Sequence, residues 1–73
     1  MPKWEYMRWT VHDFHSNRAY LASVNDVEVR DRTRLLGLVL GQAGDDGWEL
    51  VGVAPIGQGG VGVLFFKRPK AED

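Results

Sequence analysis

The chain has no cysteine among its 73 residues, and this feature limits most strongly what it can fold into. A domain near this size buries only about 60% of the surface that its unfolded chain exposes, so its stability is marginal. Many small domains add disulfides or a cysteine-bound metal, and this chain can form neither. We therefore expect one domain over residues 1–73 that depends on packed aromatic side chains or on a second copy of itself.

Composition and charge exclude several classes of protein. The chain is 44% hydrophobic and 26% charged, which is typical of a folded domain. Its longest apolar run, residues 35–40, is too short to span a bilayer, so we expect no membrane partner. Nine basic and ten acidic residues give a net charge of −1, which disfavours nucleic acid as a partner. The first five residues lack the pattern of a secretory signal, so we expect a cytoplasmic protein.

The local pattern predicts five strands and one helix. Runs rich in aromatic and β-branched residues predict strands at 4–14, 19–24, 27–30, 48–54 and 60–67. Asn25 and Asp26 tolerate positive φ and fit a two-residue hairpin turn. From Thr33 onward leucine and valine recur at helical spacing over about eleven residues. Asp31 or Thr33 can cap this helix, and Gly44 suits the left-handed position after its end.

The order β-β-β-α-β-β predicts the fold class. We expect an α+β domain in which an antiparallel sheet of four to five strands carries one helix on one face. Pro69 ends the last strand, and residues 70–73 are predicted to form a frayed tail.

Both faces of the predicted sheet are apolar. Alternate residues of a strand share a face, and one set, which we place under the helix, comprises Trp4, Tyr6, Trp48, Leu50, Leu64 and Phe66. The opposite set comprises Met7, Trp9, Val11, Val51, Val53, Val63 and Phe65. A helix about 16 Å long covers one face of a small sheet at most. The second set is therefore predicted to be the interface of a homo-oligomer, with a dimer as the expected assembly.

Three segments together resemble a known family. They are Trp4-Glu5-Tyr6, the run Gly-Asp-Asp-Gly-Trp-Glu-Leu-Val at 44–51, and Phe-Lys-Arg-Pro at 66–69. They are similar to the W-E-Y, L-G-x-x-G-W-E-L-V and F-K-R-P pattern of small bacterial and archaeal proteins grouped as a domain of unknown function. Residues 24–29 also resemble that family's N-G-x-E-V hairpin, with Asp26 where glycine is usual. Because the family has no established activity, the resemblance implies a fold class and no function.

Glu5, Glu49 and Lys67 share the parity of the second apolar set. We expect them to form a network of ion pairs at the rim of that face, which would help to fix the strand register. The alternative is a carboxylate pair whose pKa is shifted for acid–base chemistry. A chain this short has little material left for a substrate pocket, so we expect no catalytic residue and no enzyme.

Two further motifs are weak. His12, Asp13 and His15 offer zinc ligands, but residues three apart on a strand point to opposite faces, so we expect no metal. The glycine-rich residues 57–62 resemble a phosphate-binding loop in composition only. A strand follows them where such loops need a helix N-terminus, so we expect a hairpin connection and no cofactor.

The arginine cluster at the start of the helix is the clearest local signal for a ligand. Arg30, Arg32 and Arg34 surround Thr33, and together with free backbone donors they form a candidate anion site. The alternatives are charge balance by Asp31, Glu28 and Asp13, or a salt bridge between subunits.

Taken together, these patterns predict a small non-catalytic interaction or structural module that acts as a homo-oligomer through the second apolar face. The alternative is a module that binds nucleic acid or an anionic ligand. It would use the aromatic side chains Trp9 and Phe65 for stacking, and Lys67, Arg68 and the arginine cluster for contact with phosphate. The patterns do not identify a small-molecule ligand.

Overall fold

The fold is taken from a computed structural model, which describes residues 3–14, 18–31, 33–56 and 60–70. The elements are β1 (Trp4–His12), β2 (Tyr20–Val24), β3 (Val27–Glu28), α1 (Leu36–Asp45), β4 (Glu49–Ile56) and β5 (Val61–Pro69). The α+β class and the order β-β-β-α-β-β are confirmed.

The five strands form one sheet in the order β3-β2-β1-β5-β4, and all neighbouring strands are antiparallel. β1 and β5 lie at the centre, where Trp9 is opposite Leu64 and Val11 is opposite Gly62. Directly opposed residues of an antiparallel pair point to the same face, so this register decides which side chains meet the helix.

The hydrophobic core lies between α1 and the sheet. Its buried members are Trp9, Val11, Ala19, Leu21, Val39, Ala43, Leu64 and Phe66. The helix contributes Val39 and Ala43, which are four residues apart and share one face. The ring centroids of Trp9 and Phe66 are 4.4 Å apart and their planes are inclined by 49°. This tilted aromatic pair, beside the fully buried Val11, forms the centre of the core.

The predicted assignment of β1 to the two faces is wrong. The side chains of β1 that face the helix are Met7, Trp9 and Val11. Trp4 and Tyr6, which we expected to lie under the helix, are on the other face and are 40% and 69% exposed. Alternation shows which residues of one strand share a face. It does not show which set of the next strand lies beside them, because the pairing register decides that.

The helix begins later than predicted. Its N-cap is Leu35, which makes no side-chain capping bond, so neither Asp31 nor Thr33 caps the first turn. Instead, the backbone N–H of Leu36 donates to the carbonyl oxygen of Ala19 at 2.8 Å. A free donor of the first turn is thus satisfied by the segment that leads into β2, which fixes the helix to the sheet.

The helix also ends later than predicted. The left-handed residue is Gly47, with φ of 87°, whereas Gly44 lies within the helix. Gly47 N–H donates to the Gly44 carbonyl and Trp48 N–H donates to the Ala43 carbonyl, both at 3.0 Å. These two bonds form a Schellman motif, which requires positive φ at Gly47 and turns the chain directly into β4.

The hairpin between β2 and β3 has the predicted turn. Asn25 and Asp26 have φ of 49° and 69°, as a type I′ turn requires. The strand that follows, β3, is shorter than the predicted 27–30. Of the predicted tail, residues 71–73 lie outside the described residues. The N–H of Lys70 donates to the Lys3 carbonyl at 2.7 Å, so the ordered pairing extends past β5.

Candidate interaction surfaces

The face of the sheet opposite the helix, here called the open face, carries the largest exposed aromatic side chains. The register places on it Trp4, Tyr6, Arg8, Thr10, Val63, Phe65, Lys67, Glu49, Gly52 and Ala54. Trp4, Tyr6 and Phe65, the aromatic patch, are 40%, 69% and 41% exposed. Tyr6 is opposite Lys67 and Phe65 is opposite Arg8, so the patch crosses two adjacent strands.

The seven residues predicted to form the oligomer interface do not share one face. Phe65 and Val63 lie on the open face as expected, but Met7, Trp9 and Val11 pack on the helix side. Val53 is opposite Leu64 and so lies on the helix side, and the remaining member, Val51, lies at a register shift of β4. Val51 and Val53 are 50% and 46% exposed, and none of the described buried core residues belongs to β4.

Phe65 stands over the smallest residue of the open face. A β-carbon added at Gly52 would lie 3.8 Å from Cδ2 of Phe65, so the ring packs against the backbone of β4 there. The next pair along the two strands is Val63, which is 7% exposed, and Ala54. The open face therefore has a raised aromatic ring beside a shallow surface of small side chains.

Glu5, Glu49 and Lys67 do not form the predicted network. Lys67 is opposite Glu49 on the open face, and its Nζ lies 4.4 Å from the ring centroid of Trp4. Glu5 is opposite Arg68 on the helix side and accepts a hydrogen bond from Arg68 Nε at 2.8 Å. The two glutamates are thus on opposite faces, which removes the close carboxylate pair that acid–base chemistry needs.

Arg68 forms a cluster that the sequence analysis missed. Its Cζ lies 4.2 Å from the ring centroid of Trp48, and its Nη1 donates to the carbonyl oxygen of Asp46 at 2.8 Å. With Glu5, this guanidinium joins the start of β1, the end of α1 and the end of β5. Glu5, Trp48 and Arg68 each belong to one of three segments, residues 4–6, 44–51 and 66–69, that stood out together in the sequence, and this grouping was the available signal.

Arg8, which lies beside the aromatic patch, also has a partner of opposite charge. The guanidinium of Arg8 forms an ion pair with the carboxylate of Asp26. The backbone N–H of Arg8 donates to Oδ1 of Asn25 at 2.9 Å, so the turn between β2 and β3 is held against β1. Arg8 therefore acts first as an anchor for this turn.

The arginine cluster at the start of the helix is not assembled as predicted. The backbone N–H of Thr33 donates to Oδ1 of Asp31 at 3.0 Å, and the Thr33 hydroxyl donates to the same oxygen. These two hydrogen bonds lower the pKa of Asp31 below its ordinary value, and the bond from the Thr33 hydroxyl has the larger effect. Arg34 Nη2 donates to Oε1 of Gln42 at 3.3 Å, and Arg32 lies outside the described residues. The donors of Thr33 are thus already occupied by a carboxylate of the same chain.

The remaining arginine, Arg30, lines a cavity on the open side of β1, β2 and β3. This polar cavity has a volume of about 330 Å³ and is lined by Thr10, His12, Tyr20, Ala22, Ser23, Glu28, Val29 and Arg30. The hydroxyl of Tyr20 and Nδ1 of His12 are 3.3 Å apart. The lining residues come from three strands at spacings that match no motif, so no sequence signal marked them as a group.

The two weak motifs are only partly described. His15 of the candidate zinc ligands, and residues 57–59 of the glycine-rich loop, lie outside the described residues. Within the described ranges, no three His, Cys, Asp or Glu side chains are grouped closely enough to hold a metal ion. Gly62 is packed under the ring of Phe14, so close that a β-carbon there would lie 2.7 Å from Phe14 Cγ.

No protein family, curated protein or solved structure matches this chain in the comparisons made. In the part of the chain that the structure describes, no helix has the length and hydropathy needed to cross a membrane. The open face and the polar cavity are therefore the two surfaces from which a function is inferred.

Proposed function

We propose that the protein is a small non-catalytic interaction module that forms a homodimer through the open face of its sheet. The observation that carries this proposal is the aromatic patch of Trp4, Tyr6 and Phe65, which is exposed on a face that bears no helix. Contiguous exposed apolar side chains mark interaction sites, and aromatic residues supply much of the energy at such sites.

The edges of the sheet favour pairing through a face. β4 is one edge, and it contains Pro55, which has no N–H to donate, and a register shift between Leu50 and Gly52. The other edge, β3, has two residues and includes the charged Glu28. Prolines, bulges, charges and short strands all oppose edge-to-edge addition of a second sheet.

The charges of the open face favour a second copy of this chain as the partner. Arg8 and Lys67 are basic, whereas Glu49 on the same face is acidic. A two-fold axis places one patch against itself, so a face with both signs of charge around an apolar centre can complement its own copy.

The area of the patch is sufficient for a weak dimer. The exposed fractions of its three rings correspond to about 300 Å² of apolar surface in each protomer. Burying both copies contributes about 15 kcal/mol at about 25 cal/mol per Å². A dissociation constant in the micromolar range corresponds to a net gain of about 8 kcal/mol, which leaves an association cost of about 7 kcal/mol, within the expected range of about 4 to 15 kcal/mol.

Sedimentation velocity from about 1 to 500 µM protein tests the dimer directly. We expect a mass twice the 8.2 kDa of one chain at the upper concentrations. Phe65→Glu places a charge in the centre of the patch and should give a monomer. The matched control is Leu38→Glu on α1, where the side chain is 60% exposed and lies away from the open face. A wild-type chain that stays monomeric throughout, or an effect of Leu38→Glu equal to that of Phe65→Glu, contradicts the proposal.

One observation favours a second candidate function, the binding of single-stranded nucleic acid. The aromatic patch lies beside Arg8 and Lys67, and exposed rings with adjacent cations suit base stacking and phosphate contact. The rival is weaker because Arg8 is paired with Asp26 and the ammonium of Lys67 lies over Trp4.

Fluorescence anisotropy with a labelled oligouridine separates the two functions. We expect no binding at low salt. Binding that weakens steeply as salt rises, and that is lost in Phe65→Glu, would establish the nucleic-acid function instead, because phosphate contacts depend strongly on salt.

A further inference from the structure

The polar cavity brings side chains of three strands together on the open face. Glu28 is opposite Ser23, and Ser23 is opposite Thr10, so these three form one row across β3, β2 and β1. His12 and Tyr20 form the adjacent row. The cavity therefore has a floor of hydroxyl groups, with an imidazole and a phenol at one side and a carboxylate at the other.

Arg30 completes the lining from the segment after β3. Val29 lines the cavity and also packs against the hydrophobic core, and it is flanked in the chain by Glu28 and Arg30. Both charged side chains line the polar cavity. Within the described part of the chain, neither of them forms an ion pair or a hydrogen bond.

A register shift in β2 contributes to the concave shape. The pairing of β1 with β2 shifts between Thr10 and Val11, and this leaves Ala22 as an extra residue on β2. A bulge bends its strand and increases the local twist, and such bulges re-aim side chains next to binding sites. Ala22 itself lines the cavity, so the bend and the cavity coincide.

We propose that the polar cavity binds a small zwitterion of the α-amino-acid type. Glu28 would accept from the ammonium group and Arg30 would donate to the carboxylate. Glu28 and Arg30 are two residues apart in the chain, so their Cα atoms are at most about 7 Å apart, and two long side chains can reach both ends of a molecule whose charges flank one carbon. Thr10 and Ser23 supply hydroxyls for its polar atoms.

The lining distinguishes this ligand class from the nearest alternatives. A phosphate would gain from Arg30 but would be repelled by the carboxylate of Glu28. A volume of about 330 Å³ lies at the lower end of ligand pockets and suits a molecule of amino-acid size. This proposal goes beyond the proposed dimer and does not depend on it. Among the residues that line the cavity, only Thr10 is paired with a residue next to the aromatic patch, namely Val63.

NMR titration of the full chain with L-glutamine as the probe tests the cavity. We expect saturable shifts of the amide signals of Thr10, Ser23 and Tyr20. The methyl ester of the probe lacks the carboxylate, and its N-acetyl form lacks the ammonium. Each should bind at least about tenfold more weakly than the probe itself. Inorganic phosphate should cause no saturable shift at these residues.

Two variants and their controls test the roles of Glu28 and Arg30 in binding. Glu28→Gln and Arg30→Gln should each weaken binding of the probe about tenfold, and both residues are exposed enough for the fold to tolerate the change. The matched controls are Glu49→Gln and Lys3→Gln, which change the same charges outside the cavity and should leave binding unchanged. Phe65→Glu should abolish the dimer and retain binding, so failure of either proposal is recognised separately.

Three results would overturn the inference. The first is the absence of saturable binding by the zwitterion, and the second is binding of the ester or the N-acetyl form as tight as that of the probe. The third is binding of phosphate at the same residues, with an affinity that Glu28→Gln increases. The last result would assign the cavity to a simple anion instead.

Discussion

The guanidinium of Arg68 lies over the ring of Trp48, with Cζ 4.2 Å from the ring centroid. The same side chain donates to Glu5 and to the carbonyl of Asp46, which is the C-cap residue of the helix. It thereby joins β1, β5 and the turn into β4, which are far apart in the chain. Because a domain of this size has few core residues, we expect the combined contacts of Arg68 to contribute measurably to its stability.

Arg68→Ala should lower the free energy of unfolding by about 2 kcal/mol, because it removes a partly buried ion pair, a cation–π contact and a hydrogen bond to a backbone carbonyl. Urea unfolding followed by tryptophan fluorescence measures the change. Arg8→Ala is the matched control, since its ion pair with Asp26 is more exposed and should cost under about 1 kcal/mol. Equal costs for the two variants would show that Arg68 has no special structural role.

Trp9→Phe should change stability by less than about 1 kcal/mol, although Trp9 is only 4% exposed. Its Nε1 is buried with no hydrogen-bond partner among the described residues, so the smaller ring loses packing but also removes an unsatisfied donor. Trp9→Ala should cost about 3 to 5 kcal/mol. Thermal unfolding of both variants measures this difference, and a Phe variant as unstable as the Ala variant would show that the indole N–H is satisfied in solution.

Two glycine substitutions should have opposite effects. Gly41→Ala should raise the free energy of unfolding by about 0.5 to 1 kcal/mol, because a β-carbon there meets nothing within 4 Å and alanine favours a helix. Gly47→Ala should lower it by about 1 kcal/mol or more, because the Schellman motif holds φ at 87°. Denaturant midpoints of the pair measure the two signs, and stabilisation by Gly47→Ala would rule out the left-handed turn.

Thr33→Val should raise the pKa of Asp31 toward its ordinary value of 3.8, because the hydroxyl of Thr33 is the main cause of the lowered pKa. A carboxyl whose pKa is lowered by folding stabilises the protein above its unfolded pKa, and this contribution is lost as pH falls through the folded value. The variant should thus be less stable than the wild type at pH 7, with the difference disappearing well below pH 3.8. Carbon-detected NMR titration and unfolding at both pH values measure this, and a difference that persists in acid contradicts it.

Much of the architecture was predictable because it depends on local physics. Positive φ at Asn25 and Asp26 follows from the tolerance of these two residue types for the left-handed region, and the structure has it. The helix was predictable from its spacing, but its ends were not. Its N-terminus is satisfied by the carbonyl of Ala19, a partner outside the helix, and no capping rule anticipates such a bond.

The candidate sites were less predictable, because they depend on contacts between distant segments. The expected interface included Trp9 together with Phe65, and these residues lie on opposite faces of the sheet. The polar cavity places Arg30 with His12 and Tyr20, and the chain contains no local pattern that links them.

The sequence by itself determined that this chain forms five strands and a helix, and that its apolar residues exceed what one helix can cover. Strand propensity, turn chemistry and helical spacing are properties of neighbouring residues, so they can be read along the chain. Only the tertiary structure decided which apolar residues are buried. Pairing Trp9 with Leu64 directs one set of β1 side chains into the core and leaves Tyr6 outside, and a shift of one residue would exchange the two sets.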